Sequence, residues 1–484
     1  MISTLAGDVR KLIDNGVQGA FSPDGSRIAF WKDEKYWLMG ANGQDVKSFM
    51  ALDSSYEFKG PKWSPDGKRI LYLKNKFGGD EGSVESRSVA DGSTVQLLSA
   101  KGLRDFWWTA DGRLIYAQSG ISEDGTNDLW ELPIDEKSGQ RTNDPQRLTR
   151  WVGYTPGFIS VSANGKRILT TKGYTQSDVY VADLDANGQQ MKPERRLTLD
   201  TRSDWASGWT MDGKEILFFS DRTGSFNIYR QVTSVQDPEL VVRANEDVRA
   251  PRVTADGQWL LYMAWSDAKR TRPVRLMRIP PTGGSGEIVL EAKGQFASGI
   301  TFSETGEQDA QMKGPKAFPD FRCPSAQTAP CLLAEAAQDE IVLTSFDPIK
   351  GRGGEAARIR TGPSKFFWDL SPDGSRLAYG EFKSVSDDHI TIMTLNDRST
   401  RDVPLTGRTA LSSLSWSANG RDLFVATSHR EGSEILRVGL DGKINLLREQ
   451  KGRWFSDLRP SPNGRSLAFS VRTTDSNVWL LETN

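Results

Sequence analysis

The protein has 484 residues, and 62 Lys and Arg stand against 63 Asp and Glu, which gives a formal net charge of −1. This balance excludes a general electrostatic attraction to nucleic acid or to an anionic membrane surface. No stretch approaches the length of apolar sequence that a transmembrane helix needs. We therefore expect no nucleic-acid partner and no membrane insertion by this chain.

One four-residue pattern recurs nine times: Ser or Thr, then Pro, Ala or Met, then Asp or Asn, then Gly. The copies stand at Ser22–Gly25, Ser64–Gly67, Thr109–Gly112, Ser162–Gly165, Thr210–Gly213, Thr254–Gly257, Ser371–Gly374, Ser417–Gly420 and Ser461–Gly464. Neighbouring copies are 42 to 53 residues apart, except for one gap of 117 residues. A regular period in this range indicates stacked copies of one supersecondary unit.

Each copy has the composition of a tight β-turn. The side chain of Asp or Asn forms hydrogen bonds with nearby backbone amides, and Gly permits the backbone conformation that is needed where the turn ends. Short runs of β-branched and aromatic residues flank it, which predicts a hairpin between a first and a second strand. Predicted third strands follow a variable polar loop, at Asp128–Trp130, Val179–Val181, Asn227–Arg230 and Asn477–Leu481. With a fourth strand, such as Ile444–Leu447, the unit is a β-propeller blade.

The 117-residue gap contains a tenth, degenerate repeat, with strands at Cys331–Glu335, Ile341–Ser345 and Ala356–Arg360 and a first strand within Ile300–Arg322. The residues Ile2–Leu12 resemble a lone fourth strand that would complete the last repeat and so close the array. The sequence therefore predicts an all-β protein: a β-propeller of four-stranded antiparallel blades, about ten repeats over residues 1–484. The alternative is two tandem sub-propellers with a seam near 285–330.

The repeated turn, together with the segment Phe219–Tyr229, resembles the TolB-type, WD-repeat-like β-propeller over essentially the whole chain. The stretch Asp320–Arg360 is also similar to the C-terminal propeller region of bacterial sensor proteins that carry a protein kinase or a winged-helix DNA-binding domain. That resemblance implies a sensory or docking module. The chain itself has no kinase signature and no helical DNA-binding domain.

The two cysteines, Cys323 and Cys331, are either a disulfide or two half-buried thiols. A disulfide would indicate an oxidising, extracytoplasmic or periplasmic compartment. Otherwise we expect a cytoplasmic protein, because the N-terminus lacks the pattern of a signal peptide.

Catalytic chemistry has little support in the sequence. The two histidines, His389 and His429, are expected in loops between second and third strands, and no Gly-x-Ser-x-Gly motif occurs. The glycine-rich segment Lys350–Glu355 fits a hairpin, and Asp124–Asp128 resembles a calcium loop without its bidentate Glu. We expect no catalytic residue, no metal, no cofactor and no enzyme. The alternatives are a propeller hydrolase or lyase, and an accessory propeller of a prolyl-oligopeptidase-like peptidase.

Aromatic and charged residues recur where the chain enters a blade, and Arg, Trp and Tyr dominate binding hot spots. These candidate ligand-binding residues are Phe106, Tyr154, Arg202, Trp205, Phe366, Arg453 and Trp454. Their aromatic rings either pack between neighbouring blades or converge on a mouth that holds a ligand. The sequence thus predicts a non-catalytic binding or sensing propeller that docks a protein or peptide partner, or a small ligand, in a bacterial signalling or envelope system.

Overall fold

The computed structural model describes residues 10–51, 53, 56–76, 81–119, 127–135, 138, 140–151, 154–235, 237–265, 273–292, 319–337, 339–361, 366–381, 389–429 and 431–482. Within these ranges the chain forms β-strands and turns and contains no α-helix. It divides into two compact units, the first of residues 1–174 and 475–484 and the second of residues 175–474.

The nine repeated turns have one geometry. In the first copy the Ser22 hydroxyl donates to Asp24 (2.5 Å), and the Gly25 N–H donates to the Ser22 carbonyl (2.8 Å). The nine glycines have φ between 66° and 80°, a left-handed conformation that glycine adopts without steric cost. Every copy connects the first strand of a sheet to its second strand, so the predicted hairpin is confirmed.

Three four-stranded antiparallel sheets lie wholly in the first unit. Their strands are β1 (Val17–Phe21), β2 (Arg27–Lys32), β3 (Lys35–Gly40) and β4 (Lys47–Ala51); β5 (Tyr56–Trp63), β6 (Arg69–Lys76), β7 (Glu81–Ser88) and β8 (Thr94–Lys101); and β9 (Leu103–Trp108), β10 (Arg113–Gln118), β11 (Asp128–Pro133) and β12 (Gln146–Arg147). They are followed by β13 (Thr155–Val161), β14 (Arg167–Asp183) and β15 (Arg195–Arg196).

Five four-stranded antiparallel sheets lie wholly in the second unit. Their strands are β16 (Asp204–Trp209), β17 (Glu215–Ser220), β18 (Asn227–Val232) and β19 (Glu239–Val242); β20 (Val248–Val253), β21 (Leu260–Ala264), β22 (Val274–Ile279) and β23 (Glu287–Ala292); β24 (Asp320–Arg322), β25 (Cys331–Ala337), β26 (Glu340–Asp347) and β27 (Gly351–Arg360); β28 (Phe366–Leu370), β29 (Arg376–Glu381), β30 (His389–Thr394) and β31 (Thr400–Pro404); and β32 (Leu411–Trp416), β33 (Asp422–His429), β34 (Gly432–Gly439) and β35 (Ile444–Lys451). The chain ends with β36 (Arg453–Pro460) and β37 (Ser466–Glu482).

The strands β14 and β37 are 17 residues long each, and they differ from the strands that were predicted for two of the repeats. They are neighbours in one sheet of order β13-β14-β37-β36, with β15 on β14. The segments Val179–Val181 and Asn477–Leu481 were predicted as separate third strands after loops, but each continues the second strand. No Pro or Gly stands between Val471 and Asn477, and β14 runs through its single Gly173 without a turn.

The prediction that an N-terminal strand completes the last repeat is also wrong. The last repeat consists of β36 and β37, and the strand that pairs with β37 there is β14. Most of the N-terminal segment 2–12 lies outside the described residues, and residues 10–12 are in no strand. The degenerate repeat of the long gap is confirmed, since β24 to β27 form one sheet in that order. The suggested seam near 285–330 lies inside the second unit, and the number of about ten repeats stays a prediction.

The first strands in the second unit form a closed series, each beside the next. Contacts between neighbouring first strands are, in order, Arg252 to Ser207 (β20–β16), Arg252 to Phe321 (β20–β24), Arg322 to Asp369 (β24–β28), Trp416 to Asp369 (β32–β28), Leu458 to Ser413 (β36–β32) and Arg459 to Ser207 (β36–β16). Apolar side chains fill the space between adjacent sheets, such as Phe424 and Ile435 against Phe455 and Phe469. Side chains from the middle to the end of each first strand therefore lie near the centre of this unit.

Cys323 and Cys331 form a disulfide that spans the connection between β24 and β25, which decides between the two alternatives that the sequence left open. The bond closes a loop with a sequence separation of 8, for which chain entropy predicts a stabilisation of about 2–3 kcal/mol. We expect a reducing agent to lower the melting temperature of the wild type. The Cys323→Ser/Cys331→Ser variant should melt lower and no longer respond to the reductant. Equal melting curves with and without reductant, after thiol titration shows full reduction, would contradict this.

Candidate functional site

The seven candidate ligand-binding residues do not share one unit. Phe106 and Tyr154 lie in the first unit, and Arg202, Trp205, Phe366, Arg453 and Trp454 lie in the second. Each unit is therefore considered separately.

Two of the seven side chains are buried, which corrects their assignment to a ligand site. Phe106 is 0% exposed and packs with Leu71 and Leu114 between neighbouring sheets. Phe366 is 9% exposed, and its ring lies 5.8 Å from that of Tyr379. Side chains alternate between the two faces of a strand, and both rings point to the face that packs on another sheet. They contribute to the core.

Tyr154 is exposed but is already in contact with a cation of its own unit. The Lys172 ammonium lies 4.0 Å from the Tyr154 ring centre, 4.6 Å from that of Trp479 and 5.1 Å from that of Trp151. Such contacts are attractive because the ring face is electronegative. These aromatic residues therefore hold a lysine side chain.

The other four candidates lie on two adjacent sheets of the second unit, beside the strand starts of β16 and β36. The sheets are joined where the Ala206 N–H donates to the Ser470 hydroxyl (2.9 Å). Arg202 is exposed, whereas Trp205, Arg453 and Trp454 are half-buried. These four residues form what we call the β16/β36 rim.

The rings of the rim have one covered face each. Trp205 stacks on Phe219, with ring centres 6.5 Å apart. The Arg472 guanidinium lies 5.7 Å from the Trp454 ring centre. Trp205 and Trp454 therefore each pack one ring face against a neighbouring side chain and keep part of their surface exposed, so they are both ordered and accessible. That combination suits a binding surface.

Sequence reasoning missed the central arginines of the second unit: Arg252 on β20, Arg322 on β24 and Arg459 on β36. Arg252 Nη1 (3.1 Å) and Arg459 Nε (2.9 Å) donate to the same acceptor, the Ser207 carbonyl. Arg322 Nε donates to Asp369 (3.0 Å), and its Nη1 donates to Asp320. We call this group the arginine centre.

The three arginines have different electrostatic environments. Burial, followed by the charges of its arginine neighbours, lowers the pKa of Arg252 well below its usual value. Burial and Arg322 likewise lower the pKa of Arg459. For Arg322 burial opposes ionisation, but Asp320 and Asp369 prevail and raise its pKa. Arg322 is therefore a paired structural cation, whereas the other two are crowded by like charge.

A sequence signal for this centre exists. Arg252, Asp369 and Arg459 each stand two residues before the Ser or Thr of a repeated turn, as Lys62 does in the first unit. A charged residue there lies near the end of the first strand of its sheet. The aromatic residues at the strand starts form the more visible pattern in the sequence, and the charged position near the strand ends is less conspicuous.

Two buried carboxylates lie near the rim. Burial raises the pKa of Asp178 to about 6, although Arg196 lies 2.8 Å away and opposes the shift. Burial also raises the pKa of Asp204, which pairs with Arg222 at 2.9 Å. Perturbed carboxylates of this kind occur at catalytic sites and also in structural ion pairs.

The other sequence features have structural surroundings of an ordinary kind. His389 begins β30 and His429 ends β33, so both stand at strand ends and not in loops as predicted. Lys350 lies in the hairpin connection between β26 and β27, and Gly351–Glu355 already belong to β27, so the predicted turn is confirmed only for Lys350. Residues 124–126 of the calcium-like segment lie outside the described ranges, and Asp128 pairs with Arg147.

The described ranges contain no group of three or more His, Cys, Asp or Glu suited to a metal ion. Nor does that part of the chain contain a helix that could cross a membrane. One cavity, of about 240 Å³, is lined by residues such as Met191 and Leu447. Another, of about 420 Å³, is lined by residues such as Thr394 and Arg398. None of the central arginines lines either cavity.

No family model matches the chain. An uncharacterised protein, Atu1656 of Agrobacterium fabrum, is 24% identical over 250 residues, which are 49% of this chain and 77% of that protein. Similar solved structures include a putative TolB from Agrobacterium tumefaciens, at 14% identity and a TM-score of 0.21, covering 88% of this chain and 93% of the other. They also include TolB from Acinetobacter baumannii, at 12% identity and a TM-score of 0.20, covering 80% and 62%. The fold itself is an all-β array of four-stranded antiparallel sheets, as predicted. These likenesses add nothing about what the chain does.

Proposed function

We propose that the second unit is a non-catalytic binding or sensing propeller whose β16/β36 rim docks a protein or peptide partner, or a small ligand. The observation that carries this is the accessible surface of Trp205 and Trp454 on two neighbouring sheets, with Arg453 and Arg202 beside them. Tryptophan and arginine provide large contact areas and directional hydrogen bonds at binding surfaces.

The rim is supported from beneath, which lowers the entropic cost of binding. Trp205 rests on Phe219, and the Arg453 guanidinium is 3.5 Å from the Tyr180 hydroxyl. A surface that is already ordered loses fewer rotamers when a partner arrives. A core packing role alone would not require these side chains to stay accessible.

The test is a thermal-shift screen of the full chain against peptides, sugars, nucleotides and divalent ions. A ligand at 100 times its dissociation constant adds about 2.7 kcal/mol to the stability of the folded state. For any ligand that shifts the wild type, we expect Trp205→Ala and Trp454→Ala to reduce the shift strongly while melting close to the wild type without ligand.

The matched control is Trp479→Ala, which removes a tryptophan that is 45% exposed in the first unit. It should keep the full ligand shift. If the two rim variants melt far below the wild type without ligand, the rim tryptophans are packing residues and the proposal fails. It also fails if all three variants respond to the ligand alike.

A hydrolase or lyase is the second candidate, and the buried carboxylates Asp178 and Asp204 are the observation that favours it. Each carboxylate is paired with an arginine, which suits a structural role equally well. Turnover of a peptide or sugar in the same screen, lost in Asp178→Asn, would support the enzyme. An accessory role beside a peptidase and a sensory role beside a kinase or winged-helix domain stay proposals of the same rank.

We infer an extracytoplasmic location, because the Cys323–Cys331 disulfide persists in oxidising compartments. The bacterial envelope is the setting that fits this best. In that setting the partner would be a protein, a peptide or a small ligand, with no nucleic acid involved. The charge balance of the chain agrees with this.

A further inference from the structure

The arginine centre brings two guanidinium groups together, and their hydrogen bonds go to backbone carbonyls: Arg459 Nη1 also donates to the Leu458 carbonyl (2.9 Å). Arg252 Nη1 and Arg459 Nε bond the same carbonyl oxygen, so these two nitrogens are at most about 6 Å apart. Their strands, β20 and β36, flank β16, and both side chains therefore reach the centre from opposite sides of one strand. Two like charges at such a distance repel each other unless an anion lies between or beside them.

The nearby carboxylates do not neutralise this pair. Asp369 accepts from Arg322 at 3.0 Å and from the Trp416 N–H at 2.8 Å, and Asp320 is bound by the other arm of Arg322. Asp457 lies 3.9 Å from Arg459, at the limit of an ion pair. Within the described ranges, Arg252 has no carboxylate within 4.0 Å.

A buried donor is also left over. In the described part of the chain, Arg252 Nε is inaccessible to solvent and has no hydrogen-bond partner. A buried donor without a partner is costly, and such groups are usually paired in folded proteins. The donor and the like-charge pair thus lie on the same residue, and an anion near it would offset the uncompensated positive charge.

We propose that Arg252 and Arg459 bind a carboxylate group at the centre of the second unit, with Arg322 holding the surrounding framework. Guanidinium groups recognise the planar carboxylate through paired N–H donors. A monovalent anion fits better than a phosphate dianion, because Asp320, Asp369 and Asp457 are close and would repel the second charge. The carboxylate belongs either to a small free acid or to the end of a peptide.

This inference goes beyond the proposed docking rim and does not need it. Trp205→Ala and Trp454→Ala leave the arginine centre intact and should bind a carboxylate as the wild type does. A failure of the rim and a failure of the arginine centre are therefore distinguishable by separate variants.

The experiment is isothermal titration of the full chain with four probes: acetate, tetraalanine with a free C-terminus, the same peptide amidated, and inorganic phosphate. We expect acetate or the free peptide to bind with a dissociation constant of about 10 mM or tighter. Binding of acetate indicates a small free acid as a sufficient ligand. Binding of the free peptide but not of the amide identifies a peptide end. Either result supports the proposal.

Variants locate the binding. Arg252→Gln should weaken carboxylate binding at least about tenfold, since a charge-assisted hydrogen bond is lost. Arg358→Gln is the control, because Arg358 pairs with Glu340 and Glu355 on the outer strands of the same unit and should bind as the wild type does. If Arg252→Gln does not fold, Arg459→Lys keeps the charge but loses the planar fork and should also bind more weakly.

The proposal is overturned if the folded wild type binds neither carboxylate probe, or if phosphate binds more tightly than both. It is equally overturned if acetate does not bind and the amidated peptide binds as well as the free acid. Unchanged affinity in the folded Arg252→Gln variant, or in Arg459→Lys where the former does not fold, has the same consequence.

Discussion

Replacing Arg322 with alanine is expected to lower the free energy of unfolding by about 3 kcal/mol, because it leaves two partly buried carboxylates without their cation. Arg322 is 9% exposed at its side chain and bonds Asp320 and Asp369, which come from its own strand and from the next sheet. Asp369 in turn accepts the Trp416 N–H. Urea unfolding followed by circular dichroism measures the loss.

The matched control for this variant is Arg358→Ala. Arg358 also bonds two carboxylates, those of Glu340 and Glu355, but its side chain is 46% exposed. Solvent-exposed ion pairs contribute little to stability, so its unfolding midpoint should stay close to that of the wild type. Equal losses in the two variants would show that burial of Arg322 does not set the strength of its contacts.

The second large effect is expected for Gly432→Ala, which should lower the free energy of unfolding by about 3 kcal/mol through overpacking. Gly432 begins β34 and is paired with Lys451 of β35. A Cβ atom there would lie 2.0 Å from the Gln450 carbonyl oxygen and 2.8 Å from the Lys451 Cα. Both are backbone atoms, so relief requires the two strands to move apart. The melting temperature measures this directly.

Gly354→Ala is the control for the glycine prediction. Gly354 lies within β27, and a Cβ atom there meets nothing within 4 Å. Alanine also reduces the conformational freedom of the unfolded chain, so this variant should be as stable as the wild type or slightly more stable. A drop like that of Gly432→Ala would mean that any side chain in these strands is harmful, and that the close approach at Gly432 is not the cause.

The repeated turns and the degenerate repeat were predictable because their information is local. A Ser or Thr, an Asp or Asn and a Gly at fixed positions make their own hydrogen bonds within a few residues, as in Ser22–Gly25. The strands β25, β26 and β27 were also predicted from their apolar runs. The disulfide was one of two open alternatives, and proximity in the fold decided it.

The continuous strands β14 and β37 could not be read from the sequence in the same way. Their middle sections, around Ser177 and Asp475, are polar and resemble loops. Polar residues remain in a strand when a neighbouring strand satisfies their backbone groups, and the partner here is distant in sequence. The same limit applies to Phe106 and Phe366, whose burial depends on the sheet packed against them.

By itself the sequence determined the all-β class, the four-stranded repeat and its turns, because period and turn chemistry act over short distances. Only the tertiary structure decided which side chains are accessible and which charges meet. Arg252, Arg322 and Arg459 are 70 and 137 residues apart along the chain, yet their strands bring them to one centre. Such a meeting depends on how the sheets are arranged in space, and no local pattern encodes it.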